Sequence, residues 1–289
     1  MDLALDTTEE VSPSEATPTP GSTEGHGFGD LAGRVRSAAI ALPILIAAVA
    51  WHPTSFLAVM AAAAAFAALE LTDLLRAQRA PQQLHVPQSA GPWAVGAAAA
   101  CAVTVGAGAL AGPMVGVGIA VVCALAGLAS RRLRAAAIAV AIVAPLALAL
   151  WWVRAEAGPW WIALAFATTW VGDAGAYFVG KRFGRRKLAP TISPNKTVEG
   201  ALGGLAVAAL LGALLGPLVL NVDWPVAGGV ALVLGAVGQA GDLIESSLKR
   251  RRNVKDSGTS IPGYGGMLDK MDSLFVSTPV LALAAFWLS

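Results

Sequence analysis

The sequence predicts an all-α integral membrane protein, a polytopic bundle of about nine transmembrane helices. Hydrophobic residues make up 56% of its 289 residues and charged residues only 13%, which is about half the charged share of soluble domains. Mean hydropathy is +0.66. Apolar stretches of about 20 residues, long enough to cross a hydrocarbon core of about 30 Å, recur along the chain.

The chain opens with an acidic stretch rich in Pro, Ser and Thr. Residues 1–30 contain seven acidic residues and no Lys or Arg, so we expect a disordered tail. We divide the rest into an N-terminal membrane region, 31–155, and a C-terminal membrane region with cytoplasmic loops, 156–289, which holds the candidate catalytic residues. The predicted spans are 35–51, 55–73, 92–111, 113–129, 135–153, 159–179, 200–220, 225–243 and 273–288.

Basic residues predict the orientation and the class of ligand. They gather in alternate loops, such as 131–134 and 181–187, whereas the opposite loops carry a single Arg. The positive-inside rule then puts the N-terminus in the cytoplasm and the C-terminus outside, in an inner (plasma) membrane. Beyond the tail, 11 acidic residues face 20 basic ones, which suits anionic lipid headgroups or a soluble polyanion. Nucleic acid is not expected, because no basic stripe lies on a soluble domain.

Asp173 lies inside an otherwise apolar predicted helix, with Tyr177 one turn later on the same face. A carboxylate in a membrane span costs about 2.5–3.5 kcal/mol on insertion scales and normally faces a wet cavity or a partner. We therefore expect Asp173 to line a functional cavity, although a carboxylate that is merely hydrogen-bonded between helices would look the same.

The segment Ser193-Pro-Asn-Lys196-Thr197-Val-Glu199-Gly directly precedes a predicted span. Free N–H groups and the positive end of the helix dipole make such a helix start a good phosphate site. Thr197 would serve equally well as a plain N-cap, but capping does not explain Lys196.

Further carboxylates flank the last connecting loop. Asp242 and Glu245 are three residues apart on one predicted helix, so both can face the same cavity, and Lys249 continues that face. The basic run that follows also fits a solvated helix end. After a Pro-Gly-x-Gly-Gly loop, Asp269 and Asp272 begin the last span. They could simply complement the start of a helix.

Together with Asp242, these two aspartates offer three hard oxygen ligands, which predicts a Mg²⁺ site completed by water and phosphate oxygens. Clustered carboxylates, cations and a glycine loop are the groups needed for chemistry on phosphates. Zinc and serine-triad chemistry fit poorly, because all three histidines lie far upstream.

The stretch from Ser247 to Asp272 closely resembles the signature of the phosphatidate cytidylyltransferases (CDP-diacylglycerol synthases). It contains Ser-Leu-Lys-Arg, Lys-Asp, Pro-Gly-x-Gly-Gly and Asp-x-x-Asp in order. Upstream, Gly-Asp-Leu-x-Glu-Ser, Asp-x-x-Ala-Tyr-x-x-Gly and Ser-Pro-x-Lys-Thr-x-Glu-Gly resemble the same family. The resemblance covers residues 165–289. Tyr264 stands where the family usually has His, and Lys270 where it usually has Arg.

The resemblance implies that CTP and phosphatidate react to give CDP-diacylglycerol and pyrophosphate with Mg²⁺, and it leaves room for a second cation such as K⁺. It implies a role in phospholipid biosynthesis, with CTP, phosphatidate and membrane lipid as partners. The implied catalytic residues are Asp242, Lys249, Arg250, Lys255, Asp256, Asp269 and Asp272, with Mg²⁺ on Asp242, Asp269 and Asp272. The implied nucleotide pocket comprises Asp173, Tyr177, Ser193, Lys196, Thr197 and Glu199.

Alternatives remain open at this point. A related CTP-dependent transferase or kinase would act on another lipid, for example an isoprenoid lipid. A cation- or proton-coupled transporter would use Asp173 and Asp242 as relays, and a degraded paralogue would bind CTP or a partner without turnover. Small residues at Gly108 and Gly112, and at Gly212 and Gly216, suit close helix packing or a homodimer seam.

Overall fold

The structure is a computed structural model that describes residues 28–77, 83–85 and 91–289, with residues 28–34 and 83–85 described by their backbone alone. The predicted tail over residues 1–27 lies outside the described residues. The tail was predicted to end at residue 30, and the first helix of the structure begins at Phe28.

Nine α-helices account for most of the described residues, so the predicted polytopic helical bundle is confirmed. Seven of them are long and apolar enough to cross a membrane, by length and composition; α4 and the apolar part of α1, Val35–Ala50, are shorter. The helices are α1 (Phe28–Ala50), α2 (Pro53–Arg76), α3 (Pro92–Ala111), α4 (Pro113–Ala129), α5 (Arg134–Glu156), α6 (Pro159–Phe183), α7 (Val198–Leu215), α8 (Trp224–Arg251) and α9 (Leu268–Leu288).

The helices form two packed groups joined through α9. In the first group, α2, α3 and α4 pack around α5; in the second, α6, α7, α8 and α9 each pack against the next, and α9 also contacts α2 and α5. Large apolar side chains such as Leu110 (88% exposed) and Leu218 (76% exposed) point outward. A water-soluble protein would bury such side chains, whereas a membrane protein presents them to lipid.

The glycine pairs singled out in the sequence pack within the chain. A Cβ on Gly212 or Gly216 would collide with the side chains of Ala231 and Ala227 on α8, and a Cβ on Gly108 would collide with Leu148 on α5. Their absent side chains therefore allow helices of the same chain to approach closely. Gly112, the last of the four, has a φ of +103° in the turn between α3 and α4.

Four short strands lie in the loops of the described residues, and the apolar pattern did not predict them. Strand β1 (Gln83–His85) pairs in parallel with β4 (Val254–Asp256), so the loop after α2 joins the loop after α8. Strand β2 (Lys187–Ala189) pairs antiparallel with β3 (Ser193–Thr197), and this hairpin leads directly into α7.

Candidate active site

The charged residues converge at one end of the bundle. Arg76 at the end of α2 donates from Nη1 to the carbonyl of Arg132, 2.9 Å away. Arg252, just after α8, donates from Nη2 to the carbonyl of Leu75 at 3.1 Å. These three basic loops therefore lie at the same end, as the alternation of charge predicted.

Helix length explains how α8 brings ionisable residues to that end. With 28 residues, α8 is about 42 Å long, which exceeds a hydrocarbon core of about 30 Å. Its last turns therefore extend beyond the apolar layer. Asp242 lies nine residues before the end of α8 and Asp173 ten residues before the end of α6, so the two carboxylates lie at similar depths.

Asp242 connects α8 to the β-hairpin. Its carboxylate forms an ion pair with the ammonium of Lys196 in β3 and accepts a hydrogen bond from Ser246 Oγ at 3.2 Å. Asp173 interacts electrostatically with Asp242 and Lys196, and also with Asp272. Asp173 and Lys196, which the resemblance assigns to one nucleotide pocket, therefore lie near Asp242, and the three side chains connect α6, β3 and α8.

A small polar cleft extends from this group into the bundle. Glycines on three helices make room for it, and hydroxyl, amide and carboxyl groups supply its polar lining. The lining residues are Thr168, Thr169, Gly172, Asp173, Gly204, Leu234, Gly235, Gly238, Gln239 and Ser273.

Lys249 lies buried between two carboxylates. Its ammonium is 2.6 Å from Asp269 Oδ1 and 3.2 Å from Glu245 Oε2, and the residue is only 8% exposed. The family resemblance implies that Lys249 is a catalytic residue. In the structure its charge is already neutralised within the protein, so it holds Asp269 against α8.

Asp269 closes the glycine-rich loop that precedes α9. Its carboxylate accepts hydrogen bonds from the N–H of Ser257 at 2.9 Å and the N–H of Gly266 at 2.8 Å. Gly263 and Gly265 have φ values of +79° and +91°, a left-handed backbone that side chains disfavour. The loop that the sequence predicted is present, and Asp269 fixes its two ends together.

Glu70 on α2 contacts the same loop, and the sequence analysis missed it. Its carboxylate is fully buried and accepts four hydrogen bonds, two from the hydroxyls of Ser257 and Ser260 and two from the N–H groups of Met267 and Leu268. The signal was present, because an ionisable residue within an apolar helix is the same feature that identified Asp173.

Several predicted nucleotide residues have structural partners. Thr197 is the N-cap of α7, and its Oγ1 accepts from the N–H of Gly200 at 3.1 Å. Glu199 accepts from the N–H groups of Arg185 and Arg186 and so fixes the turn into β2. Ser193 begins β3 opposite Ala189.

Tyr177 lies outside the cleft. It is 60% exposed, and its ring packs edge-on against Phe178 and beneath Lys181. The expectation that it shares a functional face with Asp173 is therefore not supported by its contacts.

Three other predicted catalytic residues surround the start of the loop. Arg250 donates from Nε to the carbonyl of Ile192 at 3.1 Å and from Nη1 to that of Val254 at 2.8 Å, so it ties the hairpin to β4. Lys255 is exposed in β4. Asp256 follows it and packs beside Gly265.

The carboxylates of the site fit a divalent cation only with help from other ligands. Among the described residues, no group of three His, Cys, Asp or Glu side chains is arranged to hold a metal ion by itself, so Asp242, Asp269 and Asp272 are not a ready-made three-ligand site. One nearby oxygen is open to a further ligand, because among the described residues Glu245 Oε1 is buried without a hydrogen-bond partner.

Comparison of the sequence with known proteins points to one family. The sequence model of the cytidylyltransferase family matches residues 32–288. A Bacillus subtilis (strain 168) protein named phosphatidate cytidylyltransferase is 48% identical over 123 residues, which are 42% of this chain and 45% of that protein. A Staphylococcus aureus (strain COL) protein of the same name is 46% identical over 122 residues, 42% of this chain and 47% of that protein. The chain spans about half the length of the curated relatives it matches.

Proposed function

Because this chain belongs to the cytidylyltransferase family, we propose that it transfers the cytidylyl group of CTP to phosphatidate, giving CDP-diacylglycerol and pyrophosphate. The observation that carries the proposal is the 48% identity over 123 residues to a protein named for that activity. The grouping of Asp173, Lys196 and Asp242 beside a polar cleft supports it.

The reaction forms one bond and breaks one. An anionic phosphate oxygen of phosphatidate attacks the α-phosphorus of CTP. The bond from that phosphorus to the oxygen bridging to the β-phosphorus breaks, and pyrophosphate leaves with the electron pair. Because the nucleophile is already charged, no strong general base is required. Positioning and charge neutralisation then supply most of the catalysis.

On the nucleotide side, we assign Lys196 to the CTP phosphates. Its ammonium pairs with the Asp242 carboxylate, and both side chains are about 30% exposed, so an arriving phosphate can exchange with the carboxylate. Asp173, Ser193, Thr197 and Glu199 shape the surrounding pocket, the last two by fixing the hairpin and the start of α7.

Mg²⁺ is the cofactor that this donor set fits. Asp242 and Asp272 would hold it together with water and phosphate oxygens, since Mg²⁺ commonly takes only one or two carboxylates beside a phosphate ligand. When bound, the ion would neutralise charge on the phosphates. Asp269 contributes by holding the loop and Lys249 in position, because its oxygens already accept from three donors.

Lys255 and Lys270 are exposed beside the loop and are our candidates for holding the phosphatidate phosphate or the departing pyrophosphate. We further propose that this end of the bundle faces the cytoplasm at a bacterial plasma membrane, where soluble CTP meets lipid in the inner leaflet. The basic loops at the same end support that orientation.

The direct test uses purified protein in lipid nanodiscs with CTP labelled at either the α- or the γ-phosphorus. With phosphatidate and Mg²⁺, we expect α-label in the lipid fraction and γ-label in aqueous pyrophosphate. Chelation of Mg²⁺ should stop the transfer and added Mg²⁺ should restore it. Label from the γ-position in lipid would identify a kinase, and transfer only to an isoprenoid phosphate would identify a different acceptor. Either result would contradict the proposal.

The carboxylate assignment is tested by Asp242→Asn, which removes the negative charge opposite Lys196. We expect turnover to fall by at least about 100-fold, as for loss of one strong electrostatic contact, with the protein still folded in the membrane. Asp223→Asn is the matched control, because Asp223 precedes α8 at the opposite end and makes no capping hydrogen bond. Equal activity in both variants would remove Asp242 from the site.

A further inference from the structure

Glu70 is a fully buried carboxylate on α2, in the half of the chain that carries none of the predicted site residues. Burial of an isolated carboxylate is costly unless hydrogen bonds or counter-charges compensate it. Four N–H and O–H donors provide that compensation here, and all four come from residues 257–268, nearly 200 positions later in the chain.

The donors lie at both ends of the glycine-rich loop. At its start, Ser257 Oγ is 3.0 Å from Glu70 Oε2, and the Ser260 hydroxyl donates to Oε1. At its end, the N–H of Met267 donates to Oε1 at 3.0 Å and the N–H of Leu268 to Oε2 at 2.8 Å. One carboxylate therefore holds both ends of the loop against α2.

Two of these donors belong to the beginning of α9. The first N–H groups of a helix lack partners within the helix, and negative charge is favourable there. Met267, the N-cap of α9, makes no side-chain capping bond. Glu70 therefore caps α9 from another helix, one turn before the predicted metal ligand Asp272.

Gly266 makes the contact possible. A Cβ at this position would collide with both Glu70 Oε2 and Ser257 Oγ. The second glycine of the Gly-Gly pair is thus required by the approach of Glu70. Ser257 connects the two carboxylates, since its hydroxyl donates to Glu70 while its N–H donates to Asp269.

We propose that Glu70 is a positioning residue of the active site: it clamps residues 257–268 so that Asp269 and Asp272 are held facing α8. Its oxygens are engaged by four donors, so it acts through the loop and does not touch the reacting atoms. The expected effect of the clamp on catalysis rests on the proposed function. The clamp itself can be tested separately, without measuring turnover.

The test compares Glu70→Ala and Glu70→Gln with Thr72→Val in the full-length protein. Thr72 is equally buried on α2, but its hydroxyl bonds within the helix, to the carbonyl of Ala68 at 2.7 Å. The first readout is the rate of limited trypsin cleavage at Lys255 and Lys270, which flank the loop, relative to cleavage in the exposed segment 181–187.

We expect Glu70→Ala to speed cleavage at the two flanking lysines by about tenfold while cleavage in 181–187 stays unchanged, because proteolysis follows the population of the open form. Glu70→Gln keeps one carbonyl acceptor, so its cleavage rate should fall between those of Glu70→Ala and wild type, and Thr72→Val should match wild type.

The second readout is turnover with CTP and phosphatidate. We expect kcat to fall by about 100-fold in Glu70→Ala, as for a misplaced catalytic group, with little change in KM for CTP.

Unchanged cleavage in a folded Glu70→Ala protein, or equally faster cleavage in 181–187, would overturn the clamp. If Glu70→Ala does not fold, Glu70→Gln decides by the same comparison. If wild-type protein shows no transfer from CTP to phosphatidate, the proposed function fails while the cleavage rates still decide the clamp. A KM that rises while kcat is preserved would overturn the positioning role.

Discussion

Lys270 holds its ammonium 4.8 Å from the centre of the Tyr264 ring. These are the two positions at which the sequence differs from the usual family signature, which has His and Arg there. The two differing residues are therefore in contact with each other. The ammonium of Lys270, in the first turn of α9, lies over the aromatic ring of Tyr264. The pair thus adds a further attachment of the loop, beside those made by Glu70 and Asp269.

The Tyr264–Lys270 contact predicts a measurable coupling. In a double-mutant cycle with Tyr264→Leu and Lys270→Met, the two changes should be non-additive by about 0.5–1 kcal/mol, the usual strength of an exposed cation–π contact. The measurement is the free energy of unfolding in mixed micelles. Tyr264→Leu with Lys181→Met is the matched control, because Lys181 contacts Tyr177 instead. Additive effects in the first cycle would contradict the coupling.

At this scale, the sequence predicted residues whose chemistry conflicts with their surroundings. Asp173 and Asp242 were predicted as site residues because a carboxylate within an apolar helix is costly unless it has a partner or a function. Glu70 is also a carboxylate within an apolar helix. The role of Lys249 could not be read in this way. A lysine near a phosphate-binding motif suggests a phosphate ligand, and only the fold shows that Glu245 and Asp269 already surround it.

At the scale of elements, the close approach of α6 and α7 brings Asp173 near the β-hairpin. Gly180 and Gly200 face each other across this contact. A Cβ on Gly200 would lie 2.7 Å from the carbonyl oxygen of Ala176, 2.9 Å from Thr197 Oγ1 and 3.1 Å from Gly180 Cα. Backbone atoms cannot move aside as a flexible side chain can. Any side chain at Gly200 must therefore push α6 and α7 apart or displace Thr197, the N-cap of α7.

Gly200→Ala should therefore lower the free energy of unfolding by about 1–3 kcal/mol, the usual cost of overpacking, and should raise KM for CTP because β3 and Lys196 move with the start of α7. Gly229→Ala is the matched control, since Gly229 lies on α8 and a Cβ added there would meet no atom of the described residues within 4 Å. It should leave both quantities unchanged or stabilise the helix slightly. Thermal unfolding in detergent and CTP titrations would measure the difference, and identical behaviour of the two variants would contradict it.

The positions of the elements were predictable and their ends were not. Each predicted span is helical because about 20 apolar residues fit one membrane crossing. However, α6 and α8 continue to Phe183 and Arg251, four and eight residues beyond the apolar pattern, because polar residues outside the membrane also form helix. The strands of three to five residues are too short to show a period of two, and one pair joins segments about 170 positions apart.

At the scale of the molecule, the predicted N-terminal region helps to build the site. Ser37 on α1 donates to the carbonyl of Pro262 at 2.7 Å, Glu70 on α2 holds the ends of the same loop, and β1 pairs with β4. A boundary at residues 155 and 156 divides the sequence by its motifs. The loop that carries the signature is nevertheless held by helices from both sides of that boundary.

The whole bundle also predicts an orientation that can be measured. Basic loops at one end should stay on the cytoplasmic side, so the opposite end, where Asp223 precedes α8, should face outward. In a variant without the native Cys101 and Cys123, an impermeant maleimide should label Asp223→Cys in intact bacterial cells. Arg131→Cys should react only after permeabilisation, because we expect it on the cytoplasmic side of the membrane. Both positions are exposed, so burial does not account for a difference in labelling. The reverse pattern would put the cleft and its carboxylates outside the cell, away from cytoplasmic CTP, and would contradict both the orientation and the proposed substrate.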